Sequence, residues 1–486
     1  MEQQTDIKYS FPRITLAGLK GGSGKTIVSL ALSRLFTQKG LNVKPFKKGP
    51  DYIDAKWLSL ATGNSASNLD PFLFPTPKVK ALFWSFASSH DLALIEGNRG
   101  LFDGKDVEGS FSTSELSRIL QTPVILVVDC TKVTRTMAAI VLGCKYFEKD
   151  LNLAGVILNQ TAGQRHRTIT RQSIEKYTDI PVLGALPKLS QNPIPERHMG
   201  LISDQEHDCA DDIFAGICQV VSQNVDLNAV LEIARGAPPV QESLPEVFAS
   251  SRTCRSQPVI GVVRDKALWF YYQENLDALV SQGARLVDLS LLDRDEWPVI
   301  HGLYLGGGFP ETMAGDLDNN VLMKQRLKNL IMDGLPVYAE CGGFMYLAQA
   351  LEYEDQSYSM AGIFPVRTRL FKKPQGHGYV RAEVIRQNPF FRVGEMISGH
   401  EFHYSRCSPV LQEQEYCFSL SRGVGITRGF DGLIFRNVVA GYMHIHAFGA
   451  GDWAANFVRA ADIYKNTLES GAGPCPDIEC GDCSYS

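Results

Sequence analysis

Short apolar runs bounded by glycine alternate with stretches in which apolar residues recur every three or four positions, and this continues through most of the 486 residues. Such alternation is the signature of parallel α/β architecture. In the first half it predicts strands at RITLAG (Arg13–Gly18), 42–46, LALIE (Leu92–Glu96), VILVVD (Val124–Asp129), GVILN (155–159) and 181–185. A helix is expected over 26–38, with Gly40 as its stop. A second series begins at VIGVV (Val259–Val263) and continues through Gly302–Leu305, 336–339 and 438–444. Between the two series lies ARGAPPVQESLPEVFASSRTCRSQP, rich in Pro, Ser and Arg and poor in periodic apolar residues. The expected organisation is a tail over 1–12, a first domain over 13–234, a linker over 235–257, a second domain over 258–468 and a Cys-rich tail over 469–486.

Composition narrows the class. Hydrophobic residues at 44% and charged residues at 21% match a soluble enzyme rather than a disordered or coiled-coil chain. With 48 basic against 53 acidic side chains the formal charge is −5, which argues against a nucleic-acid partner. The opening residues MEQQTDIKYSF lack the basic segment and apolar run of a secretory signal, and no later stretch has the uninterrupted apolar length of a membrane span. A cytoplasmic protein with no membrane partner is expected, and in that compartment cysteines are scanned for catalysis or metal binding rather than for disulfides.

RITLAG runs directly into Gly18-Leu-Lys20-Gly21-Gly22-Ser23-Gly24-Lys25-Thr26 and then into a helix. Backbone amides of such a turn converge with the helix N-terminus, a lysine and a hydroxyl, which is what bound phosphates and Mg²⁺ require. The strict G-x4-GK[ST] spacing fails by one residue, because the leading glycine is at 18 rather than 19. LALIE ends in Glu96, a carboxylate at the C-terminal end of a strand, where Mg²⁺ coordination is expected in an open α/β sheet. KKGPDYID adds Asp51 and Asp54 on a loop, preceded by Lys47 and Lys48. The expected metal donors are Thr26, Asp51 and Glu96. Lys47, Lys48, Tyr52 and Asp54 are candidate substrate contacts.

LPVYAECGGFMYLAQAL places Cys341 between a strand and a helix, a nucleophile elbow whose tight turn should expose the thiol and whose helix N-terminus should lower its pKa. His444, in AGYMHIHAFG at the end of a later strand, supplies a base. LYLGGGFPE puts Gly306, Gly307 and Gly308 after another strand, and the amides of Gly307, Gly308 and Gly342 are candidate oxyanion donors. Together these parts describe acyl transfer through a thioester.

GLKGGSGKT, FKKGPDYIDAKWL, NLDPFL, IEGNRGLFDG, PERHMGL, RDKALWFYYQENL, LGGGFPE, YAECGGFMYL, GHEFHYS and YMHIH, in that order from about residue 13 to 450, resemble the cobyrinate a,c-diamide synthase family. The resemblance implies a dethiobiotin synthetase-like P-loop domain of the NTPase type, followed by a class I glutamine amidotransferase-like α/β domain. It implies a C–N-forming ligase that amidates the a- and c-acetates of a tetrapyrrole with ATP, Mg²⁺ and glutamine. On this chain it makes Cys341 the glutaminase nucleophile, His444 its activator, Gly18 to Thr26 the ATP loop and Asn159 a residue facing adenine. Three departures stand out. His446 sits where many class I glutaminases carry the glutamate of His-x-Glu, so a Cys-His dyad is expected. Leu268 replaces a phenylalanine usual in the family. Lys20 is similar to the signature lysine of MinD- and ParA-like ATPases.

These departures keep other readings open: the same amidation on sirohaem or Ni-sirohydrochlorin, or a MinD-type regulatory ATPase with a non-catalytic amidotransferase-like module. A homodimer is compatible with either class. The terminal Cys475, Cys480 and Cys483 have a C-x4-C-x2-C spacing compatible with part of an iron–sulfur or zinc site. With only three cysteines present locally, a mobile terminus without metal is expected.

Overall fold

The computed structural model describes residues 7–189, 196–197, 200–201, 210–242, 246–248, 254, 256–294, 296–408, 414–427, 429–471 and 473–480. The chain divides into two compact units, Met1–Pro71 with Pro75–Val247, and Phe72–Phe74 with Phe248–Ser486. No helix among the described residues is long and apolar enough to cross a membrane.

In the first unit, β1 (Arg13–Gly18), β2 (Val43–Lys48), β3 (Ser67–Leu69), β4 (Leu92–Glu96), β5 (Val124–Asp129), β6 (Leu153–Thr161) and β7 (Val182–Pro187) form one sheet in the order β3-β2-β4-β1-β5-β6-β7. Every pairing is parallel. Strands β1 and β4 are buried along their whole length, which is why they are mostly apolar, with Arg13, Thr15 and Glu96 as the buried polar exceptions. The chain leaves β1 toward β2 on one side and later continues from β4 to β5 on the other. The loops at the C-terminal edge therefore diverge beside β1, where α/β sheets open a crevice. Helix α1 (Lys25–Gln38) covers the sheet with Val28, Leu32 and Phe36, all fully buried at a spacing of four.

Strand β2 extends past the expected end, so Lys47 and Lys48 are strand residues rather than part of a loop. Their burial is possible because the register sets Lys47 opposite Glu96 of the neighbouring strand. Asp54 likewise lies in the first turn of α2 (Ile53–Thr62), where a carboxylate complements the helix dipole. Parts of the expected tail and linker pair with each other, Ile7–Tyr9 running antiparallel to Val240–Glu242. Of PERHMGL, residues 195, 198 and 199 fall outside the described residues.

The second unit is built on β8 (Val259–Val263), β9 (Arg285–Leu289), β10 (Gly302–Leu305), β11 (Val337–Glu340), β12 (Gly376–Val384), β13 (Met396–His403), β14 (Tyr416–Arg422), β15 (Phe430–Phe435), β16 (Val438–Gly441) and β17 (His444–Ile445). Their order is β9-β8-β10-β11-β16-β15-β14-β12-β13-β17. The first five are parallel neighbours and the rest pair antiparallel. The single strand expected over 438–444 is broken in two. Asp431, fully buried, accepts the amides of Tyr442 (3.0 Å) and Met443 (2.8 Å) and so removes both from the ladder. His444 then pairs with His400 of β13, at the opposite end of the strand order. Three residues span at most about 11 Å, so the mixed sheet must curl back on itself to bring β17 close to β16.

Candidate active sites

The first site begins where β1 ends. Ser23 braces the turn, its hydroxyl donating to the Lys20 carbonyl (2.8 Å) and accepting from the Lys20 amide (3.2 Å). Gly24 caps α1 at φ 88, a left-handed conformation that a side chain would strain, and a Cβ there would collide with the Asn159 amide. Above Gly21 and Gly22 there is open space, a concavity of backbone suited to phosphates. Asn159, expected to face adenine, lies beneath the loop and donates to the Ser23 carbonyl (2.9 Å). Lys20 is exposed and pairs with Asp129 at the end of β5 (3.5 Å).

Behind the loop, Lys47 is 1% exposed and its ammonium is ringed by Asp54, Glu96 (3.0 Å) and Asp51 (3.6 Å). Burial alone would lower this ammonium's pKa, but the three carboxylates outweigh it and hold the charge. Burial, then repulsion from Asp54, pushes Asp51 up to about 7. Burial likewise raises Glu96 against the pull of Lys47. Asp54 is held low because its contact with Lys47 overcomes burial. Burial and the neighbouring Lys47 lower the pKa of Lys25. Lys48 is also lowered by burial, despite Asp70. The Thr26 hydroxyl donates to Glu96 (2.7 Å), and the Asp51 carboxylate accepts the Asp54 amide (2.9 Å), with Tyr52 between them in sequence. Thr26, Glu96 and Asp51 thus offer hard oxygen donors beside a phosphate loop, which fits Mg²⁺ held by one or two protein oxygens plus nucleotide phosphates.

The second site is an elbow. Cys341 has φ 46 and ψ −96, strained for a non-glycine residue, between β11 and the short helix Gly342–Leu347. The turn does not expose the thiol as the sequence suggested. Cys341 is 5% exposed, and burial, with Glu311 and Glu340 nearby, pushes the thiol's pKa up; the Gly342 amide only partly opposes this. Burial thus favours the protonated thiol over the thiolate.

The glycine loop reaches the elbow because Gly307–Gly308 pairs antiparallel with Leu268–Phe270. The Gly308 amide nitrogen lies 2.9 Å from where a Cβ on Gly342 would stand, and Leu268 Cδ2 is equally close, so Leu268 packs directly against the elbow. A Cβ on Gly307 would collide with the His444 ring. Glu340 lies opposite Gly441 in parallel register, and the Cys341 amide donates to the Gly441 carbonyl (2.7 Å). Cys341, Gly342, Gly308, Gly307 and His444 thereby converge.

His444 is 2% exposed and stacks on His400 at 4.9 Å and 16°. Burial, followed by His444 and His446, holds His400 well below the usual imidazole range. His446, in the position of a His-x-Glu glutamate, is directed elsewhere: its Nδ1 accepts the Phe448 amide (3.3 Å) and its Nε2 is 3.6 Å from Glu274. The carboxylate facing His444 is Glu340, whose Oε2 is 3.6 Å from Nδ1. Glu340 was visible beside Cys341 in the ECGG motif, but only the fold turns it toward His444.

The terminal segment is docked rather than mobile as far as Cys480. Asn437 donates to the Gly334 (2.8 Å) and Pro476 (3.0 Å) carbonyls and accepts the Ile478 amide (2.6 Å). Cys475 is buried in the core against Gly334, and Cys480 donates its amide to Asn388 (2.9 Å). Cys483 lies outside the described residues. Among those described, no group of three or more His, Cys, Asp or Glu side chains is arranged to hold a metal ion.

A parallel-sheet unit with a phosphate loop, joined in one chain to an elbow unit with an amidase constellation, defines a nucleotide-using glutamine amidotransferase. Two family models match accordingly: a CobQ/CobB/MinD/ParA nucleotide binding domain over 14–202 and a CobB/CobQ-like glutamine amidotransferase domain over 259–451. Proteins named cobyrinate a,c-diamide synthase are similar over both units. The one from Magnetococcus marinus is 38% identical, over 93% of this chain and 97% of its own length. Those from Archaeoglobus fulgidus (38%, over 94% and 98%) and Dehalococcoides mccartyi strain CBDB1 (40%, over 93% and 98%) are comparably close. The chain belongs to the cobyrinate a,c-diamide synthase family and is an amide-forming ligase that uses glutamine.

Proposed function

We propose that the chain amidates the a- and c-acetate carboxylates of cobyrinate, using ATP and ammonia released from glutamine. The observation that carries this reading is end-to-end similarity to cobyrinate a,c-diamide synthases, which spans the phosphate loop and the thiol elbow alike. That span also weighs against a regulatory ATPase with a silent second module, and nothing favours sirohaem or Ni-sirohydrochlorin as substrate.

In the second unit, His444 takes the proton of Cys341, and the thiolate attacks the glutamine carboxamide carbon. The amides of Gly308 and Gly342 receive the oxyanion, and His444 returns the proton to the departing ammonia. Water then hydrolyses the thioester to glutamate. In the first unit, the amides of Gly21 to Lys25 cradle ATP. A substrate carboxylate attacks the γ-phosphorus while Lys25 meets the charge gathering on the phosphoryl oxygens, and ammonia displaces phosphate from the resulting acyl phosphate. Thr26 with Glu96 or Asp51 would hold Mg²⁺, which supplies further neutralisation of phosphate charge. Of the expected substrate contacts, Lys48, Tyr52 and Asp54 are kept as candidates at this edge of the sheet, whereas Lys47, 1% exposed and enclosed by Asp51, Asp54 and Glu96, is not.

The test is to incubate the full chain with ATP, Mg²⁺ and glutamine and with cobyrinate, sirohaem or Ni-sirohydrochlorin in parallel, weighing each product. Two amides gained on cobyrinate and none on the others is the expected result. Preferential amidation of another tetrapyrrole would overturn the substrate assignment.

A further inference from the structure

We propose that Glu340 is the positioning carboxylate for His444 in glutamine hydrolysis, doing from the residue before the nucleophile what the glutamate of a His-x-Glu sequence does elsewhere. The inference rests on the reading of Cys341 and His444 as nucleophile and base.

Glu340 is the last residue of β11 and is fully buried. Its Oε1 accepts the backbone amide of Ile445 (3.0 Å), the residue after His444, and its Oε2 accepts the Tyr304 hydroxyl (3.1 Å). That same Oε2 stands 3.6 Å from His444 Nδ1. A carboxylate oxygen has two lone pairs, so the bond from Tyr304 leaves capacity for the imidazole. The separation exceeds a hydrogen bond, and contacts of this kind commonly tighten only when substrate is bound.

The rest of the network fixes the carboxylate. Asn275 donates to the Tyr304 hydroxyl (3.1 Å) and to the Ile445 carbonyl (3.0 Å), and accepts the Ala447 amide (2.7 Å). Glu340 and the backbone of Ile445, the residue after His444, are therefore held by one set of bonds. The arrangement brings Nδ1 beside the carboxylate and leaves Nε2 as the ring nitrogen proposed to take the Cys341 proton. When that proton is taken, the imidazolium forms beside a buried carboxylate rather than in an apolar wall. Two other buried His–Glu pairs do not serve this role: His446, 3.6 Å from Glu274, caps the turn Ala447–Gly449, and His403 with Glu401 (3.5 Å) does not involve His444.

The experiment is steady-state glutamine hydrolysis by the full chain and its Glu340→Gln, Glu340→Asp and Cys341→Ser variants. Glu340→Gln keeps the shape and an acceptor but removes the charge. It should lower kcat about a hundredfold with KM for glutamine little changed, a smaller loss than the roughly 10⁴-fold of a serine-protease triad because the contact is 3.6 Å. Glu340→Asp, which keeps the charge, should recover at least tenfold over the glutamine variant. An unchanged kcat in Glu340→Gln, a loss carried by KM, or equal loss in the Asp and Gln variants would overturn the assignment. Retained hydrolysis in Cys341→Ser would instead overturn the reading on which it rests.

Discussion

Replacing Lys47 with methionine removes an ammonium buried between Asp54, Glu96 and Asp51 and leaves three carboxylates without their shared counter-charge. The cheapest response of the folded chain is to protonate, besides Asp51, a carboxylate that Lys47 keeps ionised, such as Asp54. With an unfolded carboxylate pKa near 4, taking up one proton at pH 7 costs about 1.4 kcal/mol per pH unit over three units, or about 4 kcal/mol. That agrees with the roughly 3–5 kcal/mol lost when one partner of a buried ion pair is removed. The sign with pH follows. Burial, with Lys47 opposing it, already raises Asp51 and Glu96, and loss of Lys47 raises them further. A carboxylate whose folded pKa exceeds its unfolded value penalises folding above the unfolded pKa, and the penalty fades as pH falls. Denaturant unfolding of Lys47→Met at pH 7.5 and 5.5, with calorimetry to separate the two units, should show a deficit in the first unit shrinking by about 1.4 kcal/mol per pH unit. A deficit independent of pH, or none, would refute the view that the charge at Lys47 is what the surrounding carboxylates need.

Two further outcomes are expected. In Gly342→Ala, a Cβ would meet the Gly308 amide and Leu268 at 2.9 Å, forcing the oxyanion donors apart; glutamine hydrolysis should fall by about two orders of magnitude, measured as glutamate release, as when one oxyanion donor is lost. In Asn437→Ala, the terminal segment loses two hydrogen bonds and the Gly334 carbonyl a third, and limited proteolysis should cut near residues 473–480 with a stability loss of about 2–4 kcal/mol.

Much of this was legible in the chain because it is local. Strands buried on both faces are mostly apolar runs, and β1, β4, β5, β8 and β10 fell where their runs lie. The order of glycine loop, cysteine elbow and histidine is also written in sequence. What stayed hidden depends on contacts distant in the chain. Lys47 can sit in a strand only because register sets Glu96, 49 positions on, opposite it. The break before His444 comes from Asp431, which takes two amides of the expected strand. Glu340 is adjacent to Cys341, yet its relation to His444 exists only once β11 and β16 lie side by side. The docked terminus depends on Asn437, 41 residues before Ile478.

In the proposed function one chain divides its labour, the thiol unit making ammonia and the phosphate-loop unit using it. The most direct test of this division measures cobyrinate amidation by Cys341→Ser and Lys25→Met with glutamine or with ammonium as nitrogen source. Cys341→Ser should lose amidation from glutamine and keep it from ammonium, whereas Lys25→Met should lose both. Amidation from glutamine by Cys341→Ser, or from ammonium by Lys25→Met, would contradict the account.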